Sequence, residues 1–213
     1  MVMILRPGIT VCIPTIPPRE ALLERACRSV DEAARNVAPG VPVQKVIYCD
    51  RERKGAAVAR QRALDFVATK WVAFLDDDDE MLPWHLTELY EAAHAHGADY
   101  LWGRFQIGLP GGRTRPGPDP LGAGTFQQWN DAQPAQTTVT TLVRTELARD
   151  VGGFRVGDDL KGDHTSPEGL RAGEDWLFTL ACRAAGAKFR HVEKVTWTWH
   201  HHESNTSGLP TRW

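Results

Sequence analysis

The apolar run Trp71-Val72-Ala73-Phe74-Leu75 ends in four consecutive aspartates, Asp76 to Asp79. A short apolar run predicts a strand buried on both faces, so the carboxylates stand where that strand passes into a loop. In open α/β sheets, ligands bind outside the carboxyl ends of the strands. Two unit charges ~5 Å apart repel by roughly 3 kcal/mol at an effective dielectric near 20. Several carboxylates sharing a cleft therefore call for a cation, and hard divalent ions with oxygen ligands, Mg²⁺ or Mn²⁺, suit them. The plainer alternative is a solvated acidic turn, or a cap for the helix that opens near Pro83. An acidic run by itself favours that alternative; its place after a buried strand, with the motifs below, favours a metal site.

The pattern around this run is α/β. Ile9 to Ile13 reads as a first strand, followed by the stiff loop Pro14-Thr15-Ile16-Pro17-Pro18. Ala21, Leu22, Ala26, Val30 and Ala33 then predict a helix over about 19–36. Val43 to Cys49 is a second strand that closes on Asp50, and 55–68 a second helix. Trp71 to Leu75 is the third strand. Pro83 opens a third helix at a position proline tolerates; it runs to His96 and stops at Gly97. Strand–helix alternation predicts a mostly parallel, Rossmann-like sheet flanked by helices, with right-handed crossovers. No Gly-x-Gly-x-x-Gly and no Walker loop follows the first strand, so neither a dinucleotide fold nor a P-loop is supported.

The second half reads differently. Residues 98–106 form a candidate strand, and 108–124, rich in Gly and Pro, a loop able to cover a site. Thr137 to Val143 alternates like a strand, and Gly152-Gly153-Phe154 marks a turn. Residues 156–173 are polar, 174–185 form a helix stopped by Gly186, and 188–199 a last strand region before the tail His200-His201-His202. There is no internal repeat or linker, so one domain over 1–213 is expected: a nucleotide-binding half, 1–106, and a half for acceptor and catalysis, 107–213.

Composition narrows the partners. The 213 residues suffice for a real core, and 42% are hydrophobic. A net charge of −2 argues against a broad basic surface for nucleic acid. Cys12, Cys27, Cys49 and Cys182 lack metal-type spacing; Cys12 and Cys49 lie in strand-like runs, which predicts buried free thiols and a reducing, cytoplasmic setting. No stretch is apolar enough to span a membrane. Of the eight tryptophans, Trp71 and Trp176 are expected in the core, and Trp84, Trp102, Trp197 and Trp199 in more open places.

Three further polar stations carry chemistry. Asp50, at the end of the second strand, can accept from a nucleobase N–H or simply start a turn. Glu174 and Asp175 open a helix, where the macrodipole favours acids, or supply a general base. His200 and His202 project to one side of an extended segment and can complete a Mn²⁺ shell, or belong to a solvated tail.

In this order the motifs resemble those of family 2 glycosyltransferases with the GT-A fold. The residues are Pro14-Thr15 with Leu22, Arg25 and Ser29; Asp50; Gly55-Ala56-Ala57-Val58-Ala59-Arg60-Gln61; Phe74 to Asp79; Gly152-Gly153-Phe154; and Gly173-Glu174-Asp175. Departures from the family pattern occur at Ile16-Pro17, at Gln61 and at Asp50-Arg51-Glu52. The resemblance implies that Pro14, Thr15 and Asp50 line the base site and that Arg60, Asp76 and Asp77 contact the nucleotide. It further implies that Asp78, Asp79 and a tail histidine, His200 or His202, bind Mn²⁺ or Mg²⁺. Asp175, or Glu174 beside it, is then the base. The donor is a UDP- or GDP-sugar and the acceptor a hydroxyl of a glycan, protein or small molecule. Transfer is expected to invert the anomeric carbon, in a soluble enzyme making one transfer per encounter. The rival readings are a sugar-phosphate nucleotidyltransferase, which would show a Gly-rich basic loop after the first strand, an aspartyl phosphatase, and a non-catalytic carbohydrate- or nucleotide-binding module.

Overall fold

The computed structural model describes residues 4–117, 140–154 and 174–200. In chain order the elements are β1 (Arg6–Thr15), α1 (Glu20–Asn36), β2 (Val43–Cys49), α2 (Ala56–Asp65), β3 (Thr69–Phe74), β4 (Glu80–Met81), α3 (His85–His96) and β5 (Tyr100–Gly108). A 3₁₀ turn (Pro110–Gly112), β6 (Thr114–Pro116), β7 (Thr141–Arg144), α4 (Thr145–Asp150), α5 (Glu174–Ala184) and β8 (Phe189–His200) follow.

The strands form one sheet in the order β2-β1-β3-β7-β5-β8-β4, with β6 beside β5. β1 pairs in parallel with both β2 and β3, as strand–helix alternation requires. The second half enters through β7, antiparallel to both β3 and β5, and β8 runs parallel to β5. The parallel register sets Thr15 opposite Cys49 and Cys12 opposite Phe74. Thr15, Asp50 and Asp76 therefore emerge at the same sheet edge.

Alternation along the strands sends side chains to two faces. Val11, Ile13, Trp71, Ala73 and Leu75 pack under α1 and α3, with Ala26, Val30, Leu86 and Leu89. Cys12, Val72 and Phe74 pack on the other face with Leu64 of α2, Ala148 of α4, and Trp176 and Phe178 of α5. α3 stops where Gly97 takes the left-handed conformation at φ 59° and returns its N–H to Ala93.

Several expectations need correction. Trp102 and Trp197 are buried at 2% and 3% exposure, because β5 and β8 run through the sheet interior. Trp84 is open as expected, its indole N–H donating to Val195. Cys49 is exposed, since β2 is an edge strand; Cys12 is buried, and all four cysteines are free. The described part of the 108–124 loop is a hairpin: β6 returns along β5, with Ile107 opposite Arg115. Residues 118–124, 137–139, 155–173 and the tail from 201 lie outside the described residues. No helix among the described residues is long and apolar enough to cross a membrane.

Candidate active site

The aspartate run is a turn clamped at both ends. Leu75 donates its N–H to Cys12, and Asp79 donates back to Asp76. β4 then pairs with β8, Glu80 opposite Thr198, and Met81 N donates to Ser29 Oγ at 3.1 Å. Asp77, Asp78 and Asp79 are buried and Asp76 is half-buried.

The four carboxylates divide. Asp77 turns toward the β1 loop, where Thr15 Oγ1 donates to its Oδ2 at 2.6 Å and Arg19 Nη1 to its Oδ1 at 2.7 Å. Oxygens of Asp76, Asp78 and Asp79 gather within 4.8 Å of one another. Burial, with Asp76 and Asp78 alongside, raises the Asp79 carboxyl well above the usual carboxylate range. Carboxylates gathered this closely need only side-chain adjustment to share one ion. An all-oxygen, partly buried, mutually repelling set fits a hard divalent cation.

Two arginines from the start of the α1 region contact this turn. Arg19 Nη1 also reaches Asp78 Oδ2 at 3.3 Å, and Arg25 Nη2 donates to the Asp78 carbonyl at 2.5 Å. Arg25 Nε stands 3.6 Å from Glu80. His200, the last residue of β8, donates its N–H to Asp79 Oδ1 at 3.0 Å and sets its ring Nε2 against Glu80. That contact, ahead of the opposing burial, holds the Glu80 carboxyl low. The expected tail ligand His200 thus meets the run through its backbone and Glu80 through its ring; His202 lies outside the described residues.

Arg60 of α2 joins the run to the second half. It is buried, donates to Asp76 Oδ1 at 2.6 Å and pairs with Glu174 at the start of α5. Burial works against its charge, but Asp76, Glu174 and Asp175 outweigh it and hold the guanidinium protonated. Beneath it lies an aromatic seam. Its guanidinium is 5.9 Å from the Phe154 ring, which stacks on Phe178 at 4.6 Å and meets Phe74 edge-on at 4.9 Å. Phe154 N in turn donates to Gln61 Oε1 at 2.8 Å. Gly153 sits beside this bond at φ 63°, where a Cβ would fall 2.0 Å from Gln61 Oε1. The Gly-Gly-Phe turn and the Ala-Arg-Gln helix are thereby two halves of one contact.

Asp175 follows Glu174. Burial pushes its carboxyl up to about 7, Arg60 opposing and Glu174 adding to the rise. Its Oδ1 accepts from Trp176 N at 2.8 Å. A carboxyl poised near neutrality is suited to proton transfer.

The expected base-site residues are occupied in support. Thr15 holds Asp77, and the buried Asp50 accepts from Gly55 N at 2.8 Å through Oδ2, fixing the loop into α2. Pro14 is buried in β1 opposite Tyr48. Sequence reasoning overlooked Arg19 and Glu80. The signal for Arg19 was there: a single base closing a proline-rich loop at a sheet edge that also carries four acids.

Residues 28–152 match the family model described as Glycosyl transferase family 2. Among solved structures, S. aureus TarS 1-349 superposes with a TM-score of 0.65 at 18% identity, covering 91% of this chain and 60% of that one. The same TarS segment in complex with UDP-GlcNAc superposes at 0.66 and 18%, covering 95% of this chain and 61% of that one. This chain therefore spans about three fifths of the TarS segment. No curated protein sequence matches it.

Proposed function

The chain belongs to glycosyl transferase family 2, has the GT-A fold and is an enzyme of the glycosyltransferase type, and from that premise we propose that it moves a sugar from a UDP- or GDP-sugar to an acceptor hydroxyl with inversion. One observation carries this reading. Arg60 bridges Asp76 and Glu174, so the cation-ready aspartates and the near-neutral Asp175 stand on either side of one guanidinium. The complexes of TarS with UDP and with UDP-GlcNAc favour uracil as the donor base.

In this reading residues 1–106 hold the donor and 107–213 contribute the acceptor side and the base. Pro14, Thr15 and Asp50 border the nucleobase, and Arg60, Asp76 and Asp77 order the ribose and diphosphate end. Mn²⁺ or Mg²⁺, held by Asp78 and Asp79 with Asp76, would neutralise the charge that grows on the leaving diphosphate. His200 and His202 are the candidates for a nitrogen ligand. Asp175 takes the proton of the acceptor hydroxyl as its oxygen bonds to the anomeric carbon. The bond from that carbon to the diphosphate oxygen breaks on the opposite face, with its electron pair leaving on the nucleoside diphosphate. Glu174 stays on Arg60 and keeps the helix start in place. The free thiols fit a reducing compartment, the cytoplasm.

The test is a panel of UDP- and GDP-sugars with Mn²⁺, Mg²⁺ or chelator, read by release of nucleoside diphosphate and by the anomeric configuration of the product. Metal-dependent release from one donor, with inversion, is the expected result. Release that survives chelation removes the metal from the mechanism; retention removes Asp175 as a direct base.

A further inference from the structure

We propose that Arg19 is a built-in counter-cation of the aspartate run, which holds Asp78 in the metal-free protein and yields it when a divalent ion binds. The inference rests on the reading of Asp76, Asp78 and Asp79 as the cation site.

Arg19 Nη1 lies between two acids, 2.7 Å from Asp77 and 3.3 Å from Asp78. A monovalent guanidinium thus occupies one carboxylate of the group that a metal would need. The two contacts are unequal. The shorter, to Asp77, concerns the one aspartate of the four that stands outside the group. Arg19 can therefore give up Asp78 and keep Asp77.

Arg60 also touches the group, through Asp76, but it is anchored differently. Its side chain is 8% exposed, it has Glu174 as a second acid, and Phe154 lies beneath it. Arg19 is 20% exposed, at the end of a loop, with no aromatic ring beneath its guanidinium among the described residues.

Arg19 is also not what shapes the turn. Each aspartate it touches, and the next one, has another fixed partner. Thr15 holds Asp77 at 2.6 Å, Arg25 holds the Asp78 carbonyl at 2.5 Å, and the His200 N–H holds Asp79 at 3.0 Å. Removing Arg19 leaves those three in place. What disappears is a positive charge that competes for Asp78. A scaffold residue and a competitor predict opposite signs: loss of a scaffold weakens metal binding, whereas loss of a competitor strengthens it.

The experiment titrates the full chain with Mn²⁺ alone, without nucleotide, following free Mn²⁺ by electron paramagnetic resonance. Wild type, R19Q, R19K and D78N are compared, with circular dichroism to confirm folding. R19Q should bind Mn²⁺ roughly three- to tenfold more tightly, the scale of a partly exposed charge-assisted contact. R19K should fall between, because lysine keeps the positive charge but carries it as a strongly hydrated point charge on a flexible stem. D78N should abolish saturable binding. Equal or weaker binding by R19Q and R19K, with D78N still without binding, overturns the competition and leaves the metal site standing. Absence of saturable Mn²⁺ binding in wild type and both Arg19 variants removes the metal site and this proposal together.

Discussion

Gln61 and Phe154 are 93 residues apart, and the Gln61 amide oxygen accepts the Phe154 backbone N–H at 2.8 Å. Gly153 is the residue that permits this. Gly153→Ala places a Cβ 2.0 Å from that oxygen and holds an L-residue at φ 63°. The Gln61 side chain can swing away, but the bond to Phe154 is then lost. We expect a loss of about 2 kcal/mol, from left-handed strain and one broken hydrogen bond. Thermal unfolding should shift down by roughly 4–8 °C in a chain of this size. A melting curve unchanged by the substitution would show that the contact contributes nothing.

Asp175→Asn should bind nucleoside diphosphate and Mn²⁺ nearly as wild type does, yet turn over at least ~100-fold more slowly. Single-turnover kinetics beside calorimetric binding separates the two. If Glu174→Gln abolishes transfer and Asp175→Asn does not, the base moves by one residue.

The pH dependence follows from the same carboxyl, raised by burial to about 7. A base works deprotonated, so kcat/KM should climb with pH and level off above about 7. The stability effect has the other sense. The unfolded chain gives up this proton near pH 4, while the folded one keeps it until about 7. Folding stability from Asp175 therefore falls as pH rises across that window and is constant above it. A kcat/KM that is flat from pH 5 to 8 excludes Asp175 as the base.

Arg60→Met tests the bridge. Breaking a buried pair by removing one partner costs ~3–5 kcal/mol, but Asp76 and Glu174 are 33% and 24% exposed and water can reach them. We expect roughly 1–3 kcal/mol by denaturant unfolding. Arg60 also lowers the Asp175 carboxyl, so the rising limb of the pH profile should move to higher pH in the variant. A limb that stays in place would show that Arg60 does not act on Asp175.

Asp78→Ala should leave the fold intact, because the turn keeps the Arg25 bond to the Asp78 carbonyl. It should remove the Mn²⁺-dependent part of UDP binding, measured by calorimetry with and without the ion. His200→Ala and His202→Ala, made separately, address the nitrogen ligand. The true ligand should cost about 10–100-fold in Mn²⁺ affinity. The ring of His200 on Glu80 predicts the smaller loss at that position.

The first half of the fold was legible because its signals are long. β2 spans Val43–Cys49, α1 ends at Asn36 and α3 at His96, as expected. β4 has two residues and α4 six, too few for any periodicity to register. Trp102 and Trp197 were misjudged because burial within a sheet depends on which strands become neighbours, and β5 and β8 meet only through pairing between distant segments. The aspartate run announced itself by composition. Its division, with Asp77 turned to Thr15 and the other three turned together, depends on side-chain direction within a turn, which spacing does not encode. Glu80 was missed because its partners, Arg25 and His200, are remote in sequence.

β7 lies between β3 and β5, and this order bears on synthesis. A ribosome delivers β1 to β5 well before residues 141–144 emerge. Until then the side of β3 that will pair with β7 is an open row of peptide groups on an apolar strand, the kind of edge that recruits other chains. A fragment ending at residue 106 keeps that edge permanently. Dividing the gene between donor and acceptor halves should therefore yield an aggregating N-terminal piece, rescued by supplying the missing β7 segment in trans.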